Sequence, residues 1–431
     1  MTTPLNVDVL IVGAGPAGMS AAVAAAKSGR RVVVLDDNPQ AGGQIWRAAT
    51  AGSTRQDPAR AALIKALEAS RARLLTGRQI VDAPGTGVLR AVCGGVVEDY
   101  AWERLILATG ARERFLPFPG WTSPGVFGAG GLEALVKGGY SVAGKRVLVA
   151  GTGPLLLAVA AHLQEYGAQI VGIAEQASMG QLLPFAASLI AHPGKLLQGI
   201  RLRAALGGTS YRTGCWPVST TPSPDGRGLR SVTLSDGKTH WAVSCDLLAC
   251  GFHLVPNTEL AALLGCRILD GFVVVDGQQR TSMERVFCAG EPTGIAGLDA
   301  ALLQGSIAGY AATGDVAAAR RFASRAARER GFGQRLSRAF QLREELCTIA
   351  QPGTIVCRCE DVTFASLAPY ANWTDAKLQT RCGMGACQGR VCGPAVETIF
   401  GWTPGSVRPP LAPIPLGAMI GIPSNTPQEI P

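Results

Sequence analysis

Five of the twelve cysteines lie close together near the C-terminus of the chain. They form a Cys-x-Cys pair, followed by a glycine-rich stretch whose last two cysteines are separated by four residues. The two irons of a [2Fe-2S] cluster need four protein thiolates to complete their coordination. The spacing therefore predicts an electron-transfer centre. The five residues are Cys357, Cys359, Cys382, Cys387 and Cys392.

The arrangement of these cysteines favours iron over zinc. Zinc sites are commonly built from Cys-x2-Cys pairs, which this stretch lacks. Zinc and an empty site remain as alternatives. Glycines in the loop let backbone amides point at the sulfurs, and such hydrogen bonds raise the reduction potential of a cluster. Five cysteines compete for four positions, so the spacing alone leaves the ligand set open.

The chain that must position these cysteines begins with a dinucleotide-binding pattern. Residues 7–36 are predicted to form a strand, a glycine turn, an alanine-rich helix and a second strand. Gly13 permits the tight turn, Gly15 lets a pyrophosphate approach the backbone, and Gly18 lets helix and strand pack closely. The pyrophosphate would lie at the positive N-terminus of the helix. Asp36 ends the second strand, where it can accept hydrogen bonds from ribose hydroxyls.

Two later segments specify FAD as the dinucleotide. An apolar strand from residue 105 ends in Ala-Thr-Gly, a signature of flavoproteins with two dinucleotide-binding domains. Residues 286–291 resemble the second FAD motif of those proteins, in which an acid, usually Asp, binds the ribityl chain. Here the acid is Glu291, which is one methylene longer. The predicted FAD ligands are Gly13, Gly15, Pro16, Ala17, Gly18, Asp36, Asp37, Gly43, Gln44, Thr109, Gly110, Gly290 and Glu291.

A second strand-turn-helix-strand unit follows, where reductases of this fold bind NAD(P)H. Its turn retains Gly151 and Gly153, and its second strand ends at Glu175, which suits a free ribose 2′-hydroxyl. Leu156 replaces the third glycine, and we expect it to push the helix off the strand. This unit is compatible with binding of an adenine nucleotide, but rapid hydride transfer from NADH is not expected. The alternative is that the unit is purely structural. No cysteine pair follows either turn, which excludes a disulfide reductase.

Composition limits the class and location of the protein. A chain of 431 residues is long enough for two or three domains, and 47% hydrophobic with 16% charged residues is typical of a globular protein. The N-terminus has no basic region before its first apolar run, and no apolar run reaches the roughly 18 residues of a membrane helix. Clustered cysteines without a secretion signal predict a cytoplasmic protein, with at most peripheral contact at the inner membrane.

The net charge of +9 is concentrated in part in one segment. Residues 320–343 hold eight arginines, with alanines, phenylalanines and leucines interleaved. Nucleic acid or anionic lipid can bind such a stretch. We favour a basic helical linker whose apolar side packs on a neighbouring domain or subunit, because no nucleic-acid-binding signature accompanies it. No nucleic-acid partner is therefore expected.

The whole chain resembles the α (A) subunits of heteromeric amine and amino-acid dehydrogenases, which include opine oxidase, hydrogen cyanide synthase, and D-hydroxyproline and L-proline dehydrogenases. The similarity lies in both glycine turns, the Cys-Ala-Gly-Glu-Pro-Thr-Gly segment at 288–294, the cysteine loop and the proline-rich segment at 408–417. The cysteine region itself is similar to the bacterioferritin-associated ferredoxin domain.

The resemblance implies an α/β flavoprotein with two dinucleotide-binding domains, a glutathione-reductase-like double Rossmann fold, and a C-terminal [2Fe-2S] domain like bacterioferritin-associated ferredoxin. Relatives with the same Gly-Met-Gly-x-Cys-Gln-Gly-x-x-Cys loop can lack a cysteine at the place of Cys382, which is therefore the alternative ligand. The implied cluster ligands are Cys357, Cys359, Cys387 and Cys392.

In such enzymes a separate β subunit, similar to D-amino-acid oxidase, oxidises the carbon beside nitrogen. The resemblance implies an oxidoreductase subunit that passes electrons from an amino acid, opine or secondary amine through FAD and the cluster to a quinone or dye-type acceptor. It also allows FMN at the subunit interface and a small third subunit. No catalytic side chain is assigned, because the cofactors supply the redox chemistry. The alternatives are an independent NAD(P)H-dependent FAD and iron-sulfur reductase, and a non-enzymatic iron-sulfur carrier.

The predicted domains follow the order of the motifs. An FAD-binding domain is expected from residues 1–120 and 255–315, interrupted by a second, degenerate NAD(P)-type Rossmann domain at 121–254. A basic helical linker is expected at 316–345. Residues 346–431 form the predicted cluster domain and its proline-rich tail.

Overall fold

The chain alternates strands and helices over most of its length. A computed structural model describes residues 4–47 and 57–419, so the end of the predicted tail lies outside the described residues. The strands in these ranges are β1 (Leu5–Val12), β2 (Val32–Leu35), β3 (Arg73–Leu75), β4 (Gln79–Gly85), β5 (Val88–Cys93), β6 (Val96–Leu107), β7 (Ala111–Glu113), β8 (Val126–Gly128), β9 (Arg146–Thr152), β10 (Gln169–Glu175), β11 (Tyr211–Thr213), β12 (Trp216–Pro222), β13 (Leu229–Ser235), β14 (His240–Ser244), β15 (Leu247–Phe252), β16 (Leu254–Pro256), β17 (Ile268–Leu269), β18 (Phe272–Val273), β19 (Val286–Cys288), β20 (Ile355–Cys357) and β21 (Val362–Thr363). The α-helices are α1 (Pro16–Ala26), α2 (Pro58–Glu68), α3 (Ala129–Lys137), α4 (Leu155–Glu165), α5 (Met179–Ser188), α6 (Pro193–Ala205), α7 (Glu259–Leu263), α8 (Leu298–Ala312), α9 (Val316–Ala339), α10 (Phe364–Leu367), α11 (Trp373–Thr380), α12 (Cys392–Phe400) and α13 (Leu416–Met419).

The first sheet contains the N-terminal strand and its glycine turn. Its strand order is β3-β2-β1-β6-β5-β4, with β19 beside β6. β1 pairs in parallel with both β2 and β6, so that Val12 lies between Leu35 and Leu107. Residues 9–12 of β1 are buried, as expected for a central parallel strand with both faces covered. The carboxyl ends of β1, β2 and β6 therefore meet at one edge of the sheet.

Helices α1 and α8 pack against each other through glycines. A Cβ atom at Gly305 of α8 would lie 2.1 Å from the carbonyl oxygen of Ala17, and one at Gly309 would lie 2.3 Å from that of Ala21. Both distances are far below van der Waals contact, so glycine sets the separation of the helices. Because the contacts advance by four residues on each helix, α1 and α8 run in the same direction. Their N-termini therefore face the same edge of the sheet.

The second sheet is parallel, with the order β11-β10-β9-β15-β8. β9 and β15 lie side by side, and their carboxyl ends meet at Gly151 and Gly251. A small antiparallel sheet, β12-β13-β14, lies between β11 and β15 in the chain. The antiparallel pair formed by β7 and β16 connects the two larger sheets, with Arg112 opposite Val255. Two Rossmann-like sheets are therefore joined by two short crossing strands.

Helix α9 occupies most of the predicted basic linker. Its buried side chains include Phe332, Leu336 and Ala339, and this spacing of four and three residues places them on one face. The face packs on α5 through Phe185, whose ring lies 5.8 Å from that of Phe332. Among the helices that the structure describes, none has the length and apolar character needed to cross a bilayer.

The C-terminal unit is small and is built around cysteines. The hairpin of β20 and β21 packs with α10, α11 and α12. Its core combines aliphatic and aromatic side chains with three of the clustered cysteines. The buried members are Val356, Cys357, Val362, Leu367, Trp373, Ala376, Cys382, Cys392 and Val396.

Candidate cofactor sites

The first glycine turn lies at the carboxyl end of β1. Gly13 has a φ of 104°, which glycine adopts readily, and its amide donates to the Leu35 carbonyl at 2.7 Å. Gly15 precedes α1, Pro16 occupies its first turn, and no described side chain caps the helix. The first amides of α1 therefore remain available to an anionic ligand. A Cβ atom at Gly18 would lie 1.7 Å from the Gly13 carbonyl oxygen, so this position requires glycine.

Asp36 ends β2 beside this turn, and its side chain is buried. One carboxylate oxygen accepts a hydrogen bond from the Ala14 amide, and the other accepts from the Asn38 amide at 2.8 Å. The same oxygen also accepts from Asn38 Nδ2 at 2.9 Å. The oxygen that accepts from the Ala14 amide keeps a second acceptor direction, so a ribose hydroxyl can still bind there. The neighbouring Asp37 is exposed.

The segment after β2 lies across the same turn. A Cβ atom at Gly43 would approach within 3.0 Å of the Gly15 Cα. The adjacent Gln44 is exposed and accepts a hydrogen bond from Arg47 at 3.1 Å. Gly43 therefore borders the turn, whereas the Gln44 side chain faces solvent.

Thr109 and Gly110 follow β6, and Asn257 holds both of them. The Thr109 hydroxyl donates to the Asn257 carbonyl at 2.6 Å, and Asn257 Nδ2 donates to the Thr109 carbonyl at 2.9 Å. The Asn257 amide also donates to the Gly110 carbonyl at 2.9 Å. Asn257 was not predicted from the sequence, because it lies 148 residues from Thr109 and belongs to no recognised motif.

Glu291 lies between β19 and α8, after a glycine with left-handed backbone. Gly290 has a φ of 82°, and its amide donates to Gln304 Oε1 at 2.8 Å. Among the described residues, the half-buried Glu291 carboxylate has no hydrogen-bond or ion-pair partner, and burial raises its pKa to about 7. Such a carboxylate is suited to accept hydrogen bonds from the hydroxyl groups of a ligand. Gly297 precedes α8, whose N-terminus no described side chain caps.

We expect flavin binding to weaken as the pH falls through about 7, if Glu291 accepts hydrogen bonds from the ligand. Ligand hydroxyls would stabilise the ionised carboxylate and lower its pKa, so protonation would oppose binding. The affinity should fall by up to about tenfold per pH unit until the pKa of the complex is reached. Fluorescence titrations of the apoprotein with flavin, at about pH 6 and about pH 8, measure this change.

The variant Glu291→Gln keeps an acceptor oxygen but cannot titrate, so its flavin affinity should vary little with pH. Glu103→Gln, at a side chain that is 61% exposed, is the matched control and should retain the wild-type dependence. A wild-type dependence of flavin affinity on pH in Glu291→Gln would contradict the assignment.

The unfolding free energy of the apoprotein varies with pH in the opposite direction, because the pKa of Glu291 in the folded apoprotein is raised. Its contribution to the unfolding free energy is present at acid pH and is lost as the pH rises through about 7.

The second glycine turn is closed by a buried carboxylate. Glu175 is 0% exposed and accepts hydrogen bonds from the Gly153 amide at 2.8 Å, the Thr152 hydroxyl at 2.8 Å and the Ala177 amide at 2.9 Å. Burial raises the pKa of Glu175 to about 7. All of these partners belong to the chain itself. Nucleotide binding by Gly151, Gly153 and Glu175 therefore stays a prediction.

Leu156 occupies the position that corresponds to Gly18 of the first turn. Its side chain is 1% exposed and packs in a core that includes Val147 and Val159. Since even a Cβ atom at Gly18 would overlap the first turn, a leucine prevents the same close approach of the helix. α4 accordingly begins at Leu155, one residue later than α1 begins after its own turn.

NADH is therefore expected to reduce bound flavin slowly or not at all. Leu156 replaces the glycine that lets the helix amides approach a pyrophosphate, and Glu175 is already engaged by the turn. Stopped-flow mixing of the protein with NADH, followed at the flavin absorbance band, measures the rate. Dithionite is the control for a reducible flavin. Complete bleaching by NADH within milliseconds would contradict this expectation and favour a reductase.

Three of the C-terminal cysteines form a buried group. The Sγ atoms of Cys357, Cys382 and Cys392 lie within 4.8 Å of one another. Cys357 ends β20, Cys382 follows α11 and Cys392 begins α12, so three separate elements bring them together. Hydrogen bonds from the thiols of Cys382 and Cys392 lower the pKa of Cys357 to about 2. The three sulfur atoms lie at a separation that a metal centre can bridge.

The other two cysteines extend this group towards the surface. A hydrogen bond from Cys392 lowers the pKa of Cys387 to about 5, and the Cys387 amide donates to the sulfur of the exposed Cys359. Trp121 also borders the region, and its Nε1 donates to the Ile355 carbonyl at 2.6 Å. A cavity of about 170 Å³ is lined by Trp121, Cys357, Arg358, Cys359, Cys387, Val391 and Cys392. The four predicted ligands thus share one cavity, whose lining does not include Cys382.

Arg112 connects the cysteine loop to the first sheet. Its Nε donates to the Arg390 carbonyl at 3.2 Å, between Cys387 and Cys392. Its Nη1 donates to Asn257 Oδ1 at 2.8 Å and forms an ion pair with Glu259 at 2.8 Å. Because Asn257 also holds Thr109 and Gly110, direct contacts run from the predicted flavin region to the cysteine loop. Arg112 was not predicted from the sequence either, and its position two residues after Gly110 was the only signal.

Two Rossmann-like sheets with these glycine turns define an α/β protein of the flavin oxidoreductase class. The chain belongs to the pyridine nucleotide-disulphide oxidoreductase family, whose model matches residues 7–305. It is similar in structure to L-proline dehydrogenase from P. horikoshii, with a TM-score of 0.69 and 17% identity over 97% of this chain and 81% of that chain. Thioredoxin reductase from T. acidophilum gives a TM-score of 0.55 and 23% identity, over 72% of this chain and 98% of that chain. At these identities the likeness shows the fold alone.

Relatives with similar sequences cover nearly the whole chain. The HcnB subunit of hydrogen cyanide synthase from Pseudomonas protegens is 30% identical over 96% of this chain and 97% of its own length. The opine oxidase A subunit from Rhizobium meliloti is 33% identical over 91% of this chain and 81% of its own length. The predicted resemblance is confirmed. The chain is related to subunits of heteromeric flavin oxidoreductases.

Proposed function

We propose that the protein is the electron-transferring α subunit of a heteromeric flavin-dependent dehydrogenase for an amino acid, opine or secondary amine. The observation that carries the proposal is a chain of hydrogen bonds that links the predicted flavin region to the cysteine loop, from Thr109 through Asn257 and Arg112 to Arg390. Two redox groups held by adjacent parts of one chain are suited to transfer electrons between them. The names of the relatives support donors of the CH-NH type.

The proposed FAD site combines the edge of the first sheet with two parallel helix N-termini. The uncapped α1 would hold the pyrophosphate, Asp36 the ribose, and Glu291 the ribityl chain. FAD and a [2Fe-2S] cluster supply the redox steps when bound. The residues of the chain bind the two cofactors, orient them and separate them from water. The proposed FAD ligands remain Gly13, Gly15, Pro16, Ala17, Gly18, Asp36, Asp37, Gly43, Gln44, Thr109, Gly110, Gly290 and Glu291.

For the cluster we propose Cys357, Cys359, Cys387 and Cys392, which line the same cavity. The close approach of Cys382 to Cys357 and Cys392 keeps it as the alternative. Matched variants decide between them: Cys359→Ser should lose iron, whereas Cys382→Ser should keep about two irons per chain. Loss of iron in Cys382→Ser with normal iron in Cys359→Ser would show that Cys382, and not Cys359, is a cluster ligand.

The proposed electron donor is a separate β subunit, similar to D-amino-acid oxidase. The proposed heteromer also has room for FMN at the subunit interface and for a small third subunit. The acceptor would be a quinone or dye. The test is purification of the native complex through a tag on this chain, followed by mass spectrometry of its subunits, flavin and iron analysis, and amine-dependent dye reduction. Recovery of this chain without a second flavoprotein subunit, and without amine-dependent activity, would refute the proposal.

A further inference from the structure

Two helices of the second Rossmann unit leave a large apolar surface exposed. α5, residues 189–191 and α6 lie between β10 and β11, and neither helix contains a buried residue. Only Gln198, Arg201 and Arg203 have polar side chains among the exposed residues of 178–205. The large exposed side chains of this 179–204 surface are Met179, Leu183, Ile190, Leu197 and Ile200, which are 54%, 59%, 77%, 47% and 56% exposed. Large apolar side chains exposed close together on a protein surface commonly mark an interaction site.

The 179–204 surface is the outer side of a well-packed structure. On the inner side, Phe185 packs edge-on against Phe340 of the segment after α9, with ring centroids 5.5 Å apart. Lys195 of α6 pairs at 3.2 Å with Glu329, which is 5% exposed within α9. His192 lies between the same helices and contacts Arg335 at 3.0 Å. The helices are therefore fixed in place, and their apolar outer side is not needed to hold them there.

The surface adjoins the proposed flavin site. Lys195 also pairs at 2.9 Å with Asp299, in the first turn of α8. A Cβ atom at Gly333 would lie 2.6 Å from the Ala296 side chain, so α9 packs closely on the segment that leads into α8. A protein bound to the 179–204 surface would therefore lie beside the end of α8 that faces the proposed cofactor.

Charge indicates what kind of partner fits. The sequence has no Asp or Glu between residues 176 and 224. Arg201 and Arg203 are exposed within the surface, and neither has an ion-pair partner among the described residues. A second copy of this chain would bring like charges together, which opposes self-association. No aromatic side chain is exposed on the surface, whereas helices that lie in a membrane interface are usually anchored by aromatic residues.

We propose that the 179–204 surface binds the flavin-containing partner subunit, through an apolar patch rimmed by carboxylates on that subunit. The inference rests on the proposed function, because it assumes that the heteromer exists. Apolar contact at the centre with charge pairing at the rim is the usual composition of a stable subunit interface. The position beside α8 places that subunit next to the proposed FAD site.

The first test introduces a charge into the apolar surface. In the tagged native complex, Leu183→Asp with Ile190→Asp should weaken association at least about tenfold, because a carboxylate would be buried without a partner. Amine-dependent dye reduction should fall in parallel, while flavin and iron per chain stay unchanged because both side chains are exposed. Leu269→Asp, at a leucine that is 64% exposed outside the surface, is the matched control and should leave assembly intact.

The second test locates the contact directly. A photo-crosslinking amino acid at position 183 or 190 should join this chain to the flavoprotein subunit, whereas one at position 269 should not. Crosslinks from 183 and 190 to a second copy of this chain would overturn the proposal. An intact heteromer in the double variant would also overturn the proposal, whether or not that variant loses binding to phosphatidylglycerol vesicles. Absence of any heteromer in the wild-type protein would instead refute the proposed function.

Discussion

Cys392→Ser is expected to remove the iron from the protein and to abolish electron transfer to a dye, while flavin remains bound. Cys392 contacts more of the cysteine group than its neighbours do, because it lies within 4.8 Å of Cys357 and Cys382 and hydrogen-bonds with Cys387. A serine hydroxyl is a poor substitute for a thiolate towards iron. Iron analysis and the visible spectrum of the variant measure the loss, and we expect less than about a tenth of wild-type iron.

Cys93→Ser is the matched control, since Cys93 is a half-buried thiol on β5 of the first sheet. It should retain iron, flavin and activity. The variant Cys392→Ser should also retain flavin, because the glycine turn of β1 belongs to another sheet. Zinc in the purified wild-type protein, or normal iron in Cys392→Ser, would show that these cysteines do not hold the proposed cluster.

The first glycine turn could be predicted from the sequence because each of its requirements is local. Gly13, Gly18 and Asp36 lie within one strand-turn-helix-strand unit. Gly13 has the positive φ of its turn, while Gly18 and Asp36 contact Gly13 and Ala14 inside the same unit. Backbone sterics, which act over a few residues, determine these contacts. The same argument predicts that Leu156, whose side chain is buried, pushes the second helix off its strand, and this effect stays a prediction.

The contacts between units could not be predicted, because they join residues that are far apart in the chain. Arg112 and Arg390 are 278 residues apart, and Trp121 and Ile355 are 234 residues apart. Neither contact leaves a periodicity or spacing in the sequence. The absence of Cys382 from the lining of the cavity that the other four cysteines share was equally unpredictable, because spacing counts possible ligands but does not place them in a cavity. The exposed outer side of α5 and α6 also became evident only once their inner packing was known.

Gly18→Ala is expected to abolish FAD binding while the cysteine centre keeps its iron. The new Cβ atom would lie 1.7 Å from the Gly13 carbonyl oxygen, so the N-terminus of α1 would have to move by roughly an ångström or more. That end of the helix provides the amides proposed to hold the pyrophosphate. We expect flavin content below about a tenth of the wild-type value, measured by absorbance of the purified variant, and stability lower by about 1–3 kcal/mol.

The matched control is Gly331→Ala, at a helical glycine of α9 where the nearest atom to a new Cβ is the Arg335 side chain, 3.6 Å away. That replacement should keep flavin and raise the unfolding free energy by roughly 0.5–1 kcal/mol, because alanine is the better helix former. The pair separates a general effect of removing a helical glycine from the specific overlap at the turn. Wild-type flavin content in Gly18→Ala would mean that the dinucleotide does not bind at the N-terminus of α1. Flavin loss accompanied by iron loss would instead indicate that the variant fails to fold, and thermal unfolding distinguishes the two outcomes.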